Sequence, residues 1–436
     1  MAHPIRAGVA RQIISPPPGI YLIGYGDRTQ GNVGIHDDLT ATALVLDDGQ
    51  MRLALVACDL LCMNEFIVDR IRAGVGSTIQ PIICCSHTHS GPIVYADRRS
   101  PRRRRAYVAT LVERIIQAIR QAEDSLTPVQ LAWGQTTADI AINRREMQPD
   151  GQVVIGRNPQ GPVDRSLNVV RLMSDEGAPL AMWVNFACHG TVLGPQNRHV
   201  SADWIGAMRA RVEEATGSRV LFLQGAAGNL NPDLPAEDGD PWQAVESLGN
   251  RVAERVIALC TGDDLTPLEM ENQKLELIRR EVWLPLEAEA TTPRPPKTYR
   301  RVLLNMAGLP PFLPWVVDPL LSRRYPWRSQ IKAHSGRWHV PLRINGVRLG
   351  DLGLVTFGAE TLTEIGMEIK AASPTRFTLF ASVSDGCIGY LPTAEAHALG
   401  GYEVDIAPYF YRYPGRLDAH CAQIAIESAL QAMQTL

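Results

Sequence analysis

The chain has 436 residues, of which 43 are lysine or arginine and 46 are aspartate or glutamate, giving a formal net charge of −3. Hydrophobic residues make up 45% and charged residues 20%, proportions that exclude a disordered chain, a collagen-like fibre and a coiled coil. A charge so close to neutral argues against a nucleic-acid partner, which requires a basic face. No apolar run reaches the roughly 18 residues of a membrane-spanning helix.

The N-terminal sequence lacks the apolar core of a secretory signal peptide. The eight cysteines lie mostly within apolar runs and show no paired CxxC spacing. Both features are typical of a protein with reduced, buried thiols, and we therefore expect a cytoplasmic protein.

Strand-like and helical patterns alternate along the chain. Residues 40–58 predict a β-hairpin that turns at Asp48-Gly49, with aliphatic and β-branched residues on both sides. Residues 64–76 and 104–126 have the apolar spacing of helices. Two more hairpins are predicted, over 167–188 and over 339–358, the latter turning at Asn345-Gly346. The combination predicts an α/β fold with a mixed β-sheet flanked by helices.

Residues 287–330 interrupt this alternation, because they are dense in proline, tryptophan and leucine. Proline prevents long regular elements, and an irregular stretch of this length is usually functional or mobile. Two interpretations stay open, an apolar lid over a substrate site and an insertion packed on the core. A lid would place Trp315, Phe312 or Leu313 in an apolar pocket.

Five apolar, strand-like runs each lead into a small polar cluster. Loops at the carboxyl ends of strands form the ligand sites of open α/β sheets, and imidazole with carboxylate is a typical ligand set for catalytic zinc. We therefore expect a Zn²⁺ site at these strand ends. The clusters contain His87 with His89, His189, Asn231, Glu360 and Tyr390.

Each of these residues also has an ordinary structural explanation. A single histidine after a strand is more often a hydrogen-bonding residue than a metal ligand. Glu360 suits the start of the helix that follows it, and Tyr390 could be a core aromatic residue. The His87-x-His89 pair is more specific, because an extended chain points both rings to one side. We expect one of them to bind metal and the other to face substrate or water.

At these residues the sequence resembles the neutral, or non-lysosomal, ceramidase family. The family's His-Thr-His-Ser-Gly-Pro motif is intact at residues 87–92, and its Asn-(aromatic)-Ala-x-His-Gly-Thr motif matches residues 185–191. Shorter matches at 35–37, 142–144 and 389–393 extend the resemblance over nearly the whole chain. The ordered series of motifs is much more specific than any one of them.

The resemblance implies zinc-dependent hydrolysis of an amide bond, in an N-acyl lipid such as ceramide or a related N-acyl compound, by zinc-activated water. The implied zinc ligands are His87, His189, Glu360 and Tyr390. The implied contacts to the substrate or the transition state are His89, Arg144 and Tyr402. Of these, His89 is the best candidate to carry the proton to the leaving amine.

The chain departs from the family in one loop and in length. The family's Gly-Asp-x-Ser-Pro-Asn loop carries a serine that has been treated as catalytic, and Asn231 stands in its place here. An amide cannot attack a carbonyl, but it can donate a hydrogen bond to a developing oxyanion; alternatively, Asn231 only shapes the turn before Pro232. From the length of the chain we expect one catalytic domain over residues 1–436, without the β-sandwich domain that usually follows it in the family.

Two other functions stay open, a zinc hydrolase of a small soluble amide or ester unrelated to sphingolipids, and a non-catalytic binding protein on the same fold. The arginine-rich run 98–105 has two interpretations, a solvated helix start or a site for an anionic substrate group or membrane headgroup, hence a peripheral membrane contact. Four further residues are candidates for orienting the metal ligands. They are His36, Asp37, Asp59 and Asp203.

Overall fold

The computed structural model describes residues 4–26, 28, 30–96, 98, 100–234, 239–262, 264–269, 274–289, 331–411 and 413–436. Most of the segment interpreted as a lid or insertion therefore lies outside the described residues. The three side chains expected to line a pocket, Trp315, Phe312 and Leu313, lie outside them as well.

The described strands are β1 (Arg6–Ile13), β2 (Gly34–Ile35), β3 (Thr40–Asp47), β4 (Arg52–Cys58), β5 (Ile79–Cys85), β6 (Thr127–Thr137), β7 (Ala141–Met147), β8 (Val153–Asn158), β9 (Ser166–Ser174), β10 (Pro179–Phe186), β11 (His199–Val200), β12 (Arg219–Gln224), β13 (Leu230–Pro232), β14 (Thr266–Pro267), β15 (Leu275–Glu289), β16 (Lys332–His334), β17 (Arg337–Leu349), β18 (Leu352–Phe357), β19 (Glu360–Thr361), β20 (Phe377–Ala381) and β21 (Tyr390–Leu391). The described helices are α1 (Glu65–Val75), α2 (Arg102–Asp124), α3 (Asp203–Thr216), α4 (Pro241–Thr261), α5 (Thr363–Ala372), α6 (Ala394–Leu399), α7 (Ala407–Phe410) and α8 (Cys421–Thr435), with a π-helical turn at Tyr402–Ile406.

Two main sheets lie face to face. The larger has the order β12-β10-β9-β6-β1-β3-β4-β5 with β14 beside β6, and the smaller has the order β15-β17-β18-β20 with β16 beside β17. Both are mixed, since β4–β5, β10–β12 and β18–β20 are parallel while their other pairs are antiparallel. The predicted α/β class with a mixed sheet flanked by helices is confirmed, although the strands are divided between two sheets.

The alternation of side chains along each strand explains the layers. In β3, Leu44 and Leu46 face the smaller sheet, where they share a core with residues such as Val347 and Leu354. Ala43 and Val45 of the same strand face α1 and α2 on the other side. The outer face of the smaller sheet is covered by α5 and α8. The order of layers is therefore helix, sheet, sheet, helix.

Two of the three predicted hairpins are present as predicted, and the third turns at a different place. β3–β4 turns at Asp48-Gly49, and β9–β10 is also an antiparallel pair. The predicted turn at Asn345-Gly346 is wrong, because β17 continues through both residues and turns at Gly350-Asp351. The buried Asn345 amide donates to Thr356 Oγ1 (2.8 Å) and Asp385 Oδ2 (2.9 Å). These contacts outweigh the local preference of Asn-Gly for a turn.

The segment 382–385, directly after β20, joins the strand ends of both sheets. Ser382 N–H donates to the Gln224 carbonyl of β12, and Asp385 N–H donates to the Ile83 carbonyl of β5. The distance between nitrogen and oxygen is 2.8 Å in each hydrogen bond. The buried Asp385 carboxylate also accepts from Arg72 Nη2 (2.5 Å). The ends of β5, β12 and β20 are thereby held at one place, and the polar clusters meet there.

Candidate active site

His87 and His189 follow β5 and β10 and present their Nε2 atoms to each other at 3.2 Å. Both side chains are buried, and each Nδ1 lies against a backbone carbonyl, that of Leu61 (2.7 Å) for His87 and that of Leu230 (2.9 Å) for His189. A carbonyl can only accept, which assigns the ring proton to Nδ1. The Nε2 lone pairs of the two rings therefore point at the same small space.

Glu360 supplies a third acceptor at the same point. Its Oε2 lies 3.1 Å from His87 Nε2 and 3.7 Å from His189 Nε2. Its Oε1 accepts from the Tyr411 hydroxyl at 2.8 Å, whereas the buried Oε2 has no hydrogen-bond donor among the described residues. Burial raises the Glu360 pKa, but the electrostatic attraction of His87 and the hydrogen bonds with His189 and His87 outweigh it, so this pKa lies well below its usual value.

This donor set fits a zinc ion. Tetrahedral ligand atoms at about 2.0–2.1 Å from zinc lie roughly 3.3 Å apart, close to the three separations between His87, His189 and Glu360. The nearest donor, Arg144 Nη1, lies 3.4 Å from His189 Nε2, and the three converging lone pairs repel one another unless a cation lies between them. Burial, followed by the nearby Arg144 guanidinium, lowers the His189 pKa to about 4, which keeps this ring in the neutral form that binds metal.

Tyr390 lies beside Glu360 because β19 and β21 form a short parallel pair in which these two residues are opposite each other. Burial raises the Tyr390 pKa well above its usual value, and its side chain interacts with the Glu360 carboxylate and the Arg144 guanidinium. The structure therefore places all four sequence-predicted metal ligands at one point. Whether Tyr390 completes the set stays a prediction.

His89 lies at the same centre but offers a different contact. Ligand atoms of His87, His89 and His189 all fall within 4.8 Å of one another, so His89 is a geometric alternative to Glu360 as third ligand. Both ring nitrogens of His89 are buried and without a hydrogen-bond partner among the described residues. Burial and then His87 hold its pKa well below the usual value. We prefer Glu360 as ligand, because its carboxylate lies at ligand–ligand distance from both other rings.

The predicted extended chain between His87 and His89 is not what the structure has. The chain is not extended at His87, whose φ of 63° is left-handed. The two rings nevertheless meet edge to face, with centroids 5.1 Å apart. The left-handed residue turns the chain so that His87 enters the metal-ligand cluster while His89 faces the adjoining cavity.

Arg144, on β7, lies beside the cluster, with its Nη1 3.4 Å from His189 Nε2. Its Nε donates to Glu403 Oε1 (2.9 Å) and its Nη1 donates to Asn231 Oδ1 (3.2 Å). The guanidinium faces the rings of Tyr390 and Tyr402, 5.3 Å and 5.8 Å from their centroids. Its buried Nη2 has no hydrogen-bond partner among the described residues. A cation with one uncommitted donor at this place suits a developing negative charge on a substrate oxygen.

Asn231 is on β13, which pairs with β7 opposite Ile142. The structure thus brings Asn231 to the site, where its side-chain oxygen Oδ1 accepts a hydrogen bond from Arg144 Nη1. Tyr402, at the start of the π-helical turn, is mostly buried, and burial raises its pKa to about 12. All the predicted catalytic candidates are therefore close to the metal-ligand cluster, and their individual roles stay predictions.

A cavity of about 170 Å³ reaches the cluster from outside and is lined by His87, His89 and Glu360 at its inner end. Most of its remaining wall is aromatic or aliphatic, including Tyr25, Tyr95 and Phe410. A pocket of this kind accepts an apolar chain and presents its polar end to the catalytic groups.

The three aspartates and one histidine that were expected to orient the metal ligands make no hydrogen bond to the side chains of those ligands. The ring Nδ1 atoms of His87 and His189 are held by backbone carbonyls instead. Asp59 binds Arg209, Asp37 accepts from Ala202 N–H, and Asp203 accepts from backbone N–H groups at the start of α3. His36 is partly exposed and stacks on Trp242. The prediction for His36, Asp37, Asp59 and Asp203 is wrong in this respect.

The sequence did not predict two residues of the site, Glu403 and Tyr411. Glu403 accepts from Arg144 Nε and from Arg145 Nη1 (2.7 Å), so one buried carboxylate pairs with two adjacent buried arginines. Two consecutive arginines in a strand indicate such a partner but not its position. Tyr411, which donates to Glu360, lies in an aromatic run that gave no local signal.

Comparison with known proteins identifies the family. The family model for the N-terminal part of neutral/alkaline non-lysosomal ceramidases matches residues 6–255. The chain belongs to this family. It is 27% identical over 248 residues to the neutral ceramidase of Mycobacterium tuberculosis, covering 49% of this chain and 38% of that one. It is 26% identical over 224 residues to neutral ceramidase 1 of Arabidopsis thaliana, covering 46% and 28%.

The fold of this family member also matches solved structures. All of the chain superposes on 75% of the neutral ceramidase from Pseudomonas aeruginosa with a TM-score of 0.73 and 20% sequence identity. A second structure, a ceramidase complexed with C2, gives a TM-score of 0.72 at 18% identity. The sequence matches span less than half the length of the two named relatives, whereas the structural match to the Pseudomonas aeruginosa enzyme covers 100% of this chain.

Proposed function

We propose that the protein is a zinc-dependent amidohydrolase that cleaves the amide bond of an N-acyl lipid such as ceramide. The observation that carries the proposal is the convergence of His87 Nε2, His189 Nε2 and Glu360 Oε2 at the inner end of an aromatic-lined cavity. Family membership supports the same chemistry and the same class of substrate.

His87, His189 and Glu360 would hold the metal, with Tyr390 as the fourth protein ligand. A bound zinc ion would lower the pKa of water to about 7 and polarise the amide carbonyl. The apolar wall of the cavity would take the hydrocarbon chain and direct the amide towards these residues.

The remaining residues would stabilise the developing negative charge and transfer the proton. The uncommitted Nη2 of Arg144 would donate to the carbonyl oxygen as it gains negative charge, while Glu403 and Asn231 hold the guanidinium in place. Burial holds the His89 pKa well below its usual value, and the ring nitrogen that carries no proton would accept a proton and pass it to the leaving amine. The loop 228–233 contains no side-chain hydroxyl or thiol, which favours water over a covalent acyl intermediate.

A hydrolysis screen would test the proposal. The zinc-loaded protein should release fatty acid from ceramides and other N-acyl lipids much faster than it hydrolyses short N-acyl amino acids or simple esters. His189→Ala is the matched inactive control, since it removes one ligand and leaves the cavity wall intact. Turnover of only the small soluble compounds would exclude the lipid substrate, and no turnover of any compound would favour a binding protein.

A further inference from the structure

A second cavity lies at the end of the larger sheet opposite to the candidate active site. Its volume is about 750 Å³, and its wall includes Ser77, Thr78 and Gln80 at the start of β5. His87 follows the other end of the same strand. The seven residues of β5 rise about 3.3 Å each, so the two sites are roughly 20 Å apart. We call the second one the arginine cavity, because three arginines contribute to its wall: Arg6, Arg52 and Arg279.

Two of these arginines share one carboxylate. Arg6, Asp47 and Arg52 are side by side on β1, β3 and β4, and Asp47 Oδ2 accepts from Arg6 Nη2 (2.7 Å) and from Arg52 Nε (3.0 Å). Arg52 Nη1 also donates to Glu123 (2.7 Å), which pairs with Arg120 as well and does not line the cavity. The Asp47 side chain is buried, whereas 42% of the Arg6 side chain and 38% of the Arg52 side chain are exposed. Both cations are therefore accessible from the cavity, and the carboxylate between them is largely covered.

Arg279 contributes the third cation from the smaller sheet. Alternation along β15 places it on the same face as Leu275 and Leu277, which pack in the apolar layer between the two sheets. Its Nη1 donates to Gln80 Oε1 (2.5 Å), and its Nη2 donates to the Pro81 carbonyl (2.9 Å). Both acceptors are uncharged, and Arg279 forms no ion pair with any residue that the structure describes. Its positive charge is therefore not neutralised by a contacting carboxylate.

The electrostatic surroundings of Arg279 favour a bound anion. Burial, followed by the nearby Arg72 guanidinium, lowers the pKa of Arg279 to about 10, and Arg343 acts in the same direction. Arg72 and Arg343 are themselves paired with Asp385 and Asp69. A negative ligand beside Arg279 would offset the unfavourable effect of the neighbouring cations.

We propose that the arginine cavity binds a small soluble phosphate ester through its phosphate group. The charged residues of the wall are three arginines and one aspartate, so the wall carries two net positive charges, and a phosphate monoester carries about −1.5 to −2 at pH 7. Guanidinium groups match phosphate oxygens with pairs of N–H donors. Ser77 and Thr78 offer hydroxyl donors, while Met51 and Leu277 offer an apolar surface to the organic part of the ligand. The cavity volume falls within the roughly 300–1,000 Å³ of small-molecule sites.

Isothermal titration calorimetry with adenosine monophosphate, ribose 5-phosphate and inorganic phosphate tests the proposal. At least one of the two esters should bind more tightly than inorganic phosphate, adenosine should not bind, and added salt should weaken the interaction. Arg6→Gln and Arg279→Gln should each weaken ester binding about tenfold, as expected for the loss of a hydrogen bond to a charged group. Arg279→Lys keeps the charge but loses the paired donors, so its effect should be smaller.

Arg211→Gln is the matched control, because Arg211 is an exposed arginine of α3 whose ion pair is with Glu214, away from the cavity. It should bind the ester like the unchanged protein. Absence of binding by both esters, equal affinity for inorganic phosphate and the esters, or equal binding by Arg279→Gln and Arg211→Gln would overturn the proposal. A lower melting temperature of Arg279→Gln, with no ester binding by the unchanged chain, would assign Arg279 to linking β15 and β5 only.

His189→Ala separates this site from the candidate active site. The inference does not depend on the proposed function, so this variant should lose hydrolysis and still bind the ester with unchanged affinity. Loss of ester binding in His189→Ala would place the phosphate at the metal ligands and overturn the assignment to the arginine cavity. Ester binding by a protein that cleaves no N-acyl lipid would support this site, and only the proposed function would fail.

Discussion

His87 has a left-handed backbone with φ of 63°, and Val383 and Asp385 share this conformation with φ of 51° and 58°. For a β-branched residue such as Val383 this conformation is uncommon and costs free energy. It persists because Val383 N–H donates to the Ala359 carbonyl and its own carbonyl accepts from Cys85 N–H. The same segment holds the strand ends around the candidate metal ligands, which accounts for the strained residues gathering there.

Asn231 accepts a hydrogen bond from Arg144, and this contact predicts a specific effect. Asn231→Ala would remove the acceptor of Arg144 Nη1 and loosen the guanidinium beside the substrate oxygen. We expect turnover to fall by about 10²-fold with activity still measurable, since loss of one donor to an oxyanion typically costs 10²–10³-fold. Steady-state kinetics per folded molecule measures this.

A purely structural role for Asn231 predicts a different result, with a lower melting temperature and unchanged turnover per folded molecule. The control is Asn197→Ala, another partly buried asparagine whose contacts are with Ser90 and His199, away from Arg144. Detection of a covalent acyl-enzyme would contradict the water mechanism itself.

Among the elements, the loop before β13 fixes the position of β19, and thus of Glu360. Gly228 N–H donates to the Thr361 carbonyl (2.8 Å), and Asn229 Oδ1 accepts from Thr363 N–H (2.8 Å). A Cβ on Gly228 would lie 2.9 Å from the Glu360 carbonyl oxygen and from backbone atoms of Thr361. Backbone atoms cannot move aside as a side chain can, so β19 would have to shift.

Gly228→Ala should therefore move Glu360 away from the two histidines, and we expect weaker zinc binding with the overall fold retained. Zinc affinity by competition with a chelator is the measurement. Gly239→Ala is the control, because a Cβ there meets no atom within 4 Å. Equal zinc affinity in both variants would show that the loop does not position Glu360.

The elements also show what the sequence could and could not predict. Helices, the turn at Asp48-Gly49 and the polar clusters after strands follow from local patterns, and the structure has them. The turn predicted at Asn345-Gly346 is a continuous strand instead, because the side chain of Asn345 donates to Asp385, a residue distant in sequence. Glu403 was missed because its pairing with Arg144 joins residues 259 positions apart, a distance that no local pattern describes.

At the scale of the whole molecule, the two sheets enclose a shared apolar layer, and the helices cover the outer faces. The candidate ligands come from both sheets, His87 and His189 from strand ends of the larger and Glu360 from the end of β18 in the smaller. A metal ion bound by all three would link the two sheets, so zinc should stabilise the folded state as well as support the chemistry. Among the described helices, none is both long and apolar enough to cross a bilayer.

Metal content tests the central claim most directly. Purified protein, loaded with zinc and freed of excess by gel filtration, should retain roughly one zinc ion per chain by mass spectrometry, as expected for a single metal site. His189→Ala and Glu360→Gln should retain far less while still showing cooperative thermal unfolding. Folded protein that retains no zinc, or a His189→Ala variant that retains as much as the unchanged chain, would contradict the assignment of the site.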